Sequence, residues 1–147
     1  MQIKKPVKIN IISEQWTAGE AAEPIKLMSM GTLVHNSTSD EWTVRYDESE
    51  ATGMQGTKTS LSLTKEGNVH FVRNGTVQMN VLFEAGNHFK TQMETPYGLF
   101  DITILTNEVE GELSEEGGKI LLSYSLNFPN NEKISTRLDL TVHPEEN

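Results

Sequence analysis

A chain of 147 residues with no cysteine and a formal net charge of -9 is bounded before any pattern is read. The length suits one domain with one core, burying roughly two-thirds of the surface that the unfolded chain exposes. The lack of cysteine excludes disulfides, thiolate nucleophiles, zinc–thiolate centres and iron–sulfur clusters. The acidic balance, with a pI near 4.9, opposes nucleic acid and anionic membrane as partners, because both reward basic groups.

In chain order, the start carries Lys4, Lys5 and Lys8, but its apolar residues alternate with polar ones and form no continuous apolar segment. It predicts a strand over 7–12 rather than a signal peptide. No stretch approaches the roughly 18 apolar residues of a spanning helix, so the expected location is the cytoplasm, with no membrane partner. The connection 13–24 has room for a helical turn capping one end of the fold. Strands are predicted over 25–34 and 42–48, then over 57–65, 69–73 and 76–84. The stretch 53–59 superficially resembles a phosphate-binding loop, but its glycines are too close together and a strand follows where a helix is required; it reads as a glycine-rich hairpin. Asn74-Gly75 is the strongest turn signal, suited to a two-residue type I′ hairpin, and the Asn-x-Ser/Thr matches at Asn36 and Asn74 read as turn chemistry. A strand over 88–95 precedes a long one over 99–113, in which Phe100, Ile102 and Ile104 are even but Val109 and Leu113 odd. That change of parity predicts a bulge or corner near Asn107 and Glu108. Strands over 119–128 and 133–142 complete about ten. The acidic clusters at 47–50 and 108–116 read as solubilising surface.

Nearly every connection is short, which makes successive strands neighbours and gives a meander. About ten such strands would leave two exposed edges unless the sheet closes on itself. The expectation is therefore one all-β domain over 1–147, an antiparallel up-and-down barrel favoured over a sandwich.

Tyr46-Asp47-Glu48-Ser49-Glu50, Gly53-Met54, Thr57-Lys58-Thr59, Arg73-Asn74-Gly75 and Thr95-Pro96-Tyr97-Gly98 stand in that order along the chain. Together they resemble the YwiB-like family of bacterial proteins, a likeness spanning about residues 25 to 142. The resemblance implies a lipocalin-like (calycin-type) barrel and a bacterial source. It brings no activity and no catalytic residues to carry over.

The residues themselves match no familiar catalytic signature. By parity His70, His88 and His143 face solvent and His35 falls in a turn, so no metal-ligand set converges, and no cofactor is implied. Parity also places several polar side chains on the core face: Glu48 with Trp42, Val44 and Tyr46; Thr59 with Leu61 and Leu63; Arg73 with Val69 and Phe71; Thr95 with Phe89 and Met93; and Tyr124 with Leu122 and Leu126. An inward Arg73 needs a partner, for which Glu48 is the natural candidate. Three readings stand for Arg73: a strand end reaching solvent, an internal ion pair fixing register, or a ligand contact whose planar fork holds an anionic group. For the whole chain the leading expectation is a small, partly apolar or anionic ligand inside the barrel. Surface-mediated interaction comes next, and last an acid/base enzyme in which Glu48, Arg73 and either Tyr124 or Tyr97 act together.

Overall fold

The computed structural model describes residues 2–17, 20–21, 23–49 and 54–145. Strong period-two alternation becomes strand throughout: β1 (Gln2–Thr17), β2 (Glu20–Ala21), β3 (Ile25–Asn36), β4 (Glu41–Asp47), β5 (Lys58–Leu63), β6 (Val69–Asn74), β7 (Met79–Phe83), β8 (His88–Thr95), β9 (Gly98–Ser114), β10 (Gly117–Asn127) and β11 (Lys133–Pro144). The burial of β5 and β7 shows the cause. Every second residue (Thr59, Leu61 and Leu63; Met79, Val81 and Phe83) is buried, while its neighbours stay wetter, so each strand offers one apolar face to a common interior.

Ten antiparallel strands run β7-β6-β5-β4-β3-β1-β11-β10-β9-β8 across one sheet, with β2 added to β1. Apart from the short β2 between β1 and β3, neighbours in the sheet are neighbours in the chain except at one join, where β1 pairs with β11 from Val7–Pro144 to Thr17–Ile134. The two ends of the sheet path, β7 and β8, meet through one antiparallel bridge between Gln78 and Glu94. The result is an up-and-down barrel, closed by a full ladder between the first and last strands and by a single bridge at the β7–β8 seam. One end carries residues 48–49 and 54–57 and the connections 75–78, 96–97 and 128–132, and is here the upper end.

The parity change in the long ninth strand is a bulge. Ser123 pairs with Glu108 but Tyr124 pairs with Thr106, leaving Asn107 as the extra residue. Beyond it the strand turns over the lower end, where Leu113 is buried and Val109 packs on the core. Gly111 approaches so closely that a Cβ there would stand 2.7 Å from Leu63 Cδ1. In the interior, Phe71, Phe83, Leu61, Ile104, Leu122 and Leu140 have no accessible surface. A void large enough for water would give its lining residues such surface, so the middle of the barrel is filled by side chains.

Three sequence expectations change. In place of a helical turn in 13–24, β1 continues to Thr17 and pairs with β2 at Trp16–Ala21 and Thr17–Glu20; residues 18, 19 and 22 lie outside the described set, as do Glu50 and Gly53. Asn74-Gly75 is not a two-residue turn, because Arg73 pairs with Met79 and Asn74 lacks the positive φ seen at Asp40 and Asn131. Packing between loops overrides the local preference: a Cβ on Gly75 would collide with the Gly56 carbonyl oxygen and stand 2.7 Å from Thr57 Cα. His35 belongs to β3, stacked on Trp42 at 4.2 Å, with its Nε2 2.9 Å from Asp40. No helix among the described residues is long and apolar enough to cross a membrane.

Candidate functional site

Register assembles a polar layer just below the upper mouth. Tyr46 stands opposite Thr59, Thr59 opposite Arg73, and Arg73 opposite Met79, a row crossing four strands on the inner face. Glu48, two residues beyond Tyr46, keeps the same face because its N–H donates to Thr57 O at 2.8 Å. The loops above are tied together. Val77 N–H donates to the buried Thr57 Oγ1 at 3.1 Å, and Thr76 Oγ1 donates to Gln55 O at 2.9 Å. These bonds fix the distance between the β4 end that carries Glu48 and the β6 end that carries Arg73.

Within the layer, Thr59 Oγ1 donates to Glu48 Oε2 at 2.5 Å. Arg73 Nε lies 3.6 Å from the same oxygen, with side-chain exposures of 16% for Arg73 and 2% for Glu48. Its guanidinium carbon sits 4.6 Å from the Phe71 ring centroid, a cation–π placement. The buried Nε has no hydrogen-bond partner. Tyr124 faces this row from β10, its ring 4.6 Å from that of Phe83. Burial, with the Glu48 charge adding, raises the Tyr46 phenol well above its ordinary value, while Arg73 pulls the other way. Burial also raises Tyr124, again against Arg73. Both phenols are therefore neutral donors at pH 7.

Of the six residues singled out from sequence, the structure brings four together: Glu48, Thr59, Arg73 and Tyr124. Thr95 is half-buried and serves its own hairpin, donating to Gly98 O at 3.2 Å and accepting from Tyr97 N–H. Tyr97 stands 92% exposed at the β8–β9 tip, away from the layer. Tyr46, together with the buried Thr106 and Thr136, is a member that sequence reasoning did not single out. The signal was present, since each continues an inward alternation with Val44, Ile104 and Leu138. Among the described residues no three His, Asp or Glu side chains are grouped to hold a metal.

The layer reaches solvent through Arg73. An open cleft of about 390 Å³ at the β7–β8 seam is lined by Arg73 with Gln78, Asn80, Thr91, Gln92 and Leu99 among others. A separate groove of about 580 Å³ on the outer wall includes Arg45, Lys58 and Asn74, whose side chains lie on the opposite face of the sheet.

A filled, closed meander barrel with one polar layer at its mouth is the class that fold and site define. The chain belongs to the family described as Domain of unknown function (DUF1934), whose model matches residues 9–140. Its fold is that of the ywiB protein from Bacillus subtilis: the crystal structure of that protein superposes with a TM-score of 0.83 at 20% identity, over 97% of this chain and 94% of the other. No curated protein matches the chain.

Proposed function

We propose that the protein binds a small, partly apolar anion, with the anionic group on Arg73 at the β7–β8 seam. The one observation that carries this reading is the looseness of the buried ion pair. An Arg–carboxylate pair kept only to fix register closes to about 2.7–2.9 Å and is frequently bidentate, whereas here the shortest approach is 3.6 Å and Nε is unpartnered. Glu48 balances the arginine charge without consuming its fork, and Thr59 holds Glu48 in place. The filled interior favours the seam cleft over the centre of the barrel for such a ligand, and Leu99 and Met79 line that cleft as apolar contacts. The neutral phenols of Tyr46 and Tyr124 add no charge to those of Glu48 beside Arg73 and of Glu94 on the cleft wall.

The test is titration with octanoate, followed through the Arg73 Nε–Hε resonance. Saturable displacement of that resonance is expected, together with a ten- to hundredfold loss of affinity in Arg73→Met, the size of one charge-assisted bond of about 1.5–3 kcal/mol. Equal binding by Arg73→Met, or no saturable response up to millimolar octanoate, overturns the reading.

A second reading, docking through the β8–β9 tip, draws on the exposure of Tyr97 with Leu99 and Phe100, since clustered apolar side chains on a surface mark contact sites. It predicts that Tyr97→Ser, at a residue outside the cleft lining, leaves octanoate binding intact while abolishing association with a protein partner.

A further inference from the structure

We infer that the β7–β8 seam is a lateral gate, through which β8 and the tip of its hairpin swing away from β7 to admit a ligand to Arg73. Two independent observations carry it. The first is pairing. Every other neighbouring pair in the barrel is joined by a ladder of many residue pairs, interrupted only by the bulge between β9 and β10, as from Arg73–Met79 to Val69–Phe83 beside it or from His88–Leu105 to Thr95–Gly98 on the far side of β8. The seam has one bridge, made by Gln78 N–H to Glu94 O at 2.8 Å and Glu94 N–H to Gln78 O at 2.9 Å. Below it a side chain takes the place of a ladder bond, Thr91 Oγ1 donating to Asn80 O at 3.3 Å.

The second is packing. β8 has no fully buried residue, its inward positions Phe89, Thr91, Met93 and Thr95 all being half-buried, while the inward positions of β7 are all buried. Strands open first where few buried apolar contacts and few backbone bonds hold them. β7 is anchored by β6 and by its own core residues, so β8 is the element that moves. Its hinges lie where the chain is tied to β9: Gly86 N–H to Thr106 O at 2.9 Å and Thr106 N–H to Asn87 O at 3.1 Å. Opening breaks the two bridge bonds, bares Phe89 and Met93 as an apolar wall, and exposes the Arg73 side chain, now only 16% accessible. The opening stands on its own observations; its consequence for binding rests on the proposed function.

The test has two arms. In the wild-type protein, hydrogen exchange is expected to show the Gln78 and Glu94 amides exchanging roughly 100-fold faster than ladder amides of β10 and β11. Equal protection at both places overturns the gate. Because the chain has no cysteine of its own, Gln78→Cys/Glu94→Cys forms a single defined crosslink across the seam. The expected result is an octanoate on-rate about tenfold lower in the oxidised form and restored by reduction. Unchanged on-rates in a fully oxidised sample overturn the gate. Fast seam exchange with no octanoate binding in wild type or in either form of the double variant supports the gate and overturns the ligand reading instead.

Discussion

Glu48 and Arg73 share an ion pair but not a fate when it is broken. The Glu48 side chain is 2% exposed and that of Arg73 16%, so only the arginine has a path to water. Arg73→Met strands a buried charge and is expected to cost about 3 kcal/mol, the lower end for broken buried pairs. Glu48→Leu costs about 1 kcal/mol, because Arg73 turns into the cleft. In the double variant the two losses do not add: apolar replacement of both partners recovers most of the stability, while octanoate binding stays lost. Urea midpoints for the four proteins check this, and strict additivity would mean the pair is uncoupled. The two buried tyrosines set the alkaline limit. Tyr46 and Tyr124 are raised above the ordinary phenol value of 10.0, so the unfolded chain releases these protons at a lower pH than the native one. Stability they contribute is complete below about pH 9 and falls as pH rises beyond 10. Replacing both with Phe is expected to flatten the fall in urea midpoint between about pH 9 and 11. An equally steep fall in the double variant would place the alkaline transition elsewhere.

At the scale of elements, Gly67 and Gly75 both have positive φ, at 89° and 146°, but they stand in different surroundings. Nothing lies within 4 Å of a Cβ on Gly67, whereas one on Gly75 meets the backbone of Gly56 and Thr57. Gly67→Ala therefore carries the conformational cost alone, about 1 kcal/mol. Gly75→Ala adds a backbone collision and pushes apart the loops that space Glu48 from Arg73, so it is expected to cost at least about twice as much and to weaken octanoate binding. Similar midpoints for the two variants would show that the loop contact is slack. The same contrast marks where the sequence was readable. Alternation in 133–142 and the parity change around Asn107 gave strand and bulge directly, because the cause of both, one wet face and one dry, is written residue by residue. The Asn74-Gly75 turn was misread because its conformation is set by a loop about twenty residues earlier. The connection 13–24 was misread because a strand pairing with its own extension needs no apolar alternation. Parity put Glu48, Thr59, Arg73 and Tyr124 on the inner face. It said nothing for Tyr97, which sits in a turn where alternate faces have no meaning, and it put Tyr46 on the same inner face but only as core beside Trp42 and Val44.

Across the whole molecule, the ladder between β1 and β11 joins residues as distant as Val7 and Pro144, whereas every other full ladder joins strands that follow one another or, for β1 and β3, are parted only by the short β2. Forming it requires the chain to pay nearly its whole loop-closure entropy before the barrel closes, and such non-local pairing slows folding. The seam offers a way to move that burden. Glu145 N–H reaches Pro6 O at 3.3 Å, so the first and last strands end near one another. A flexible linker of about six to eight residues spans from there to the start of β1. With the chain reopened at Gly86, β1–β11 becomes a local hairpin and the longest-range pairing left is the Gln78–Glu94 bridge. Contact order falls while the ladders are kept, and stopped-flow refolding is expected to be at least about tenfold faster than in the parent. The permutant loses the Asn87–Glu84 turn bond and, with β8 held to β7 by its bridge and the Thr91–Asn80 bond but no chain connection, opens its gate more readily, so its seam amides exchange faster than those of the parent. A permutant that folds no faster would show that the strands β3 to β7, and not the meeting of the chain ends, set the barrier.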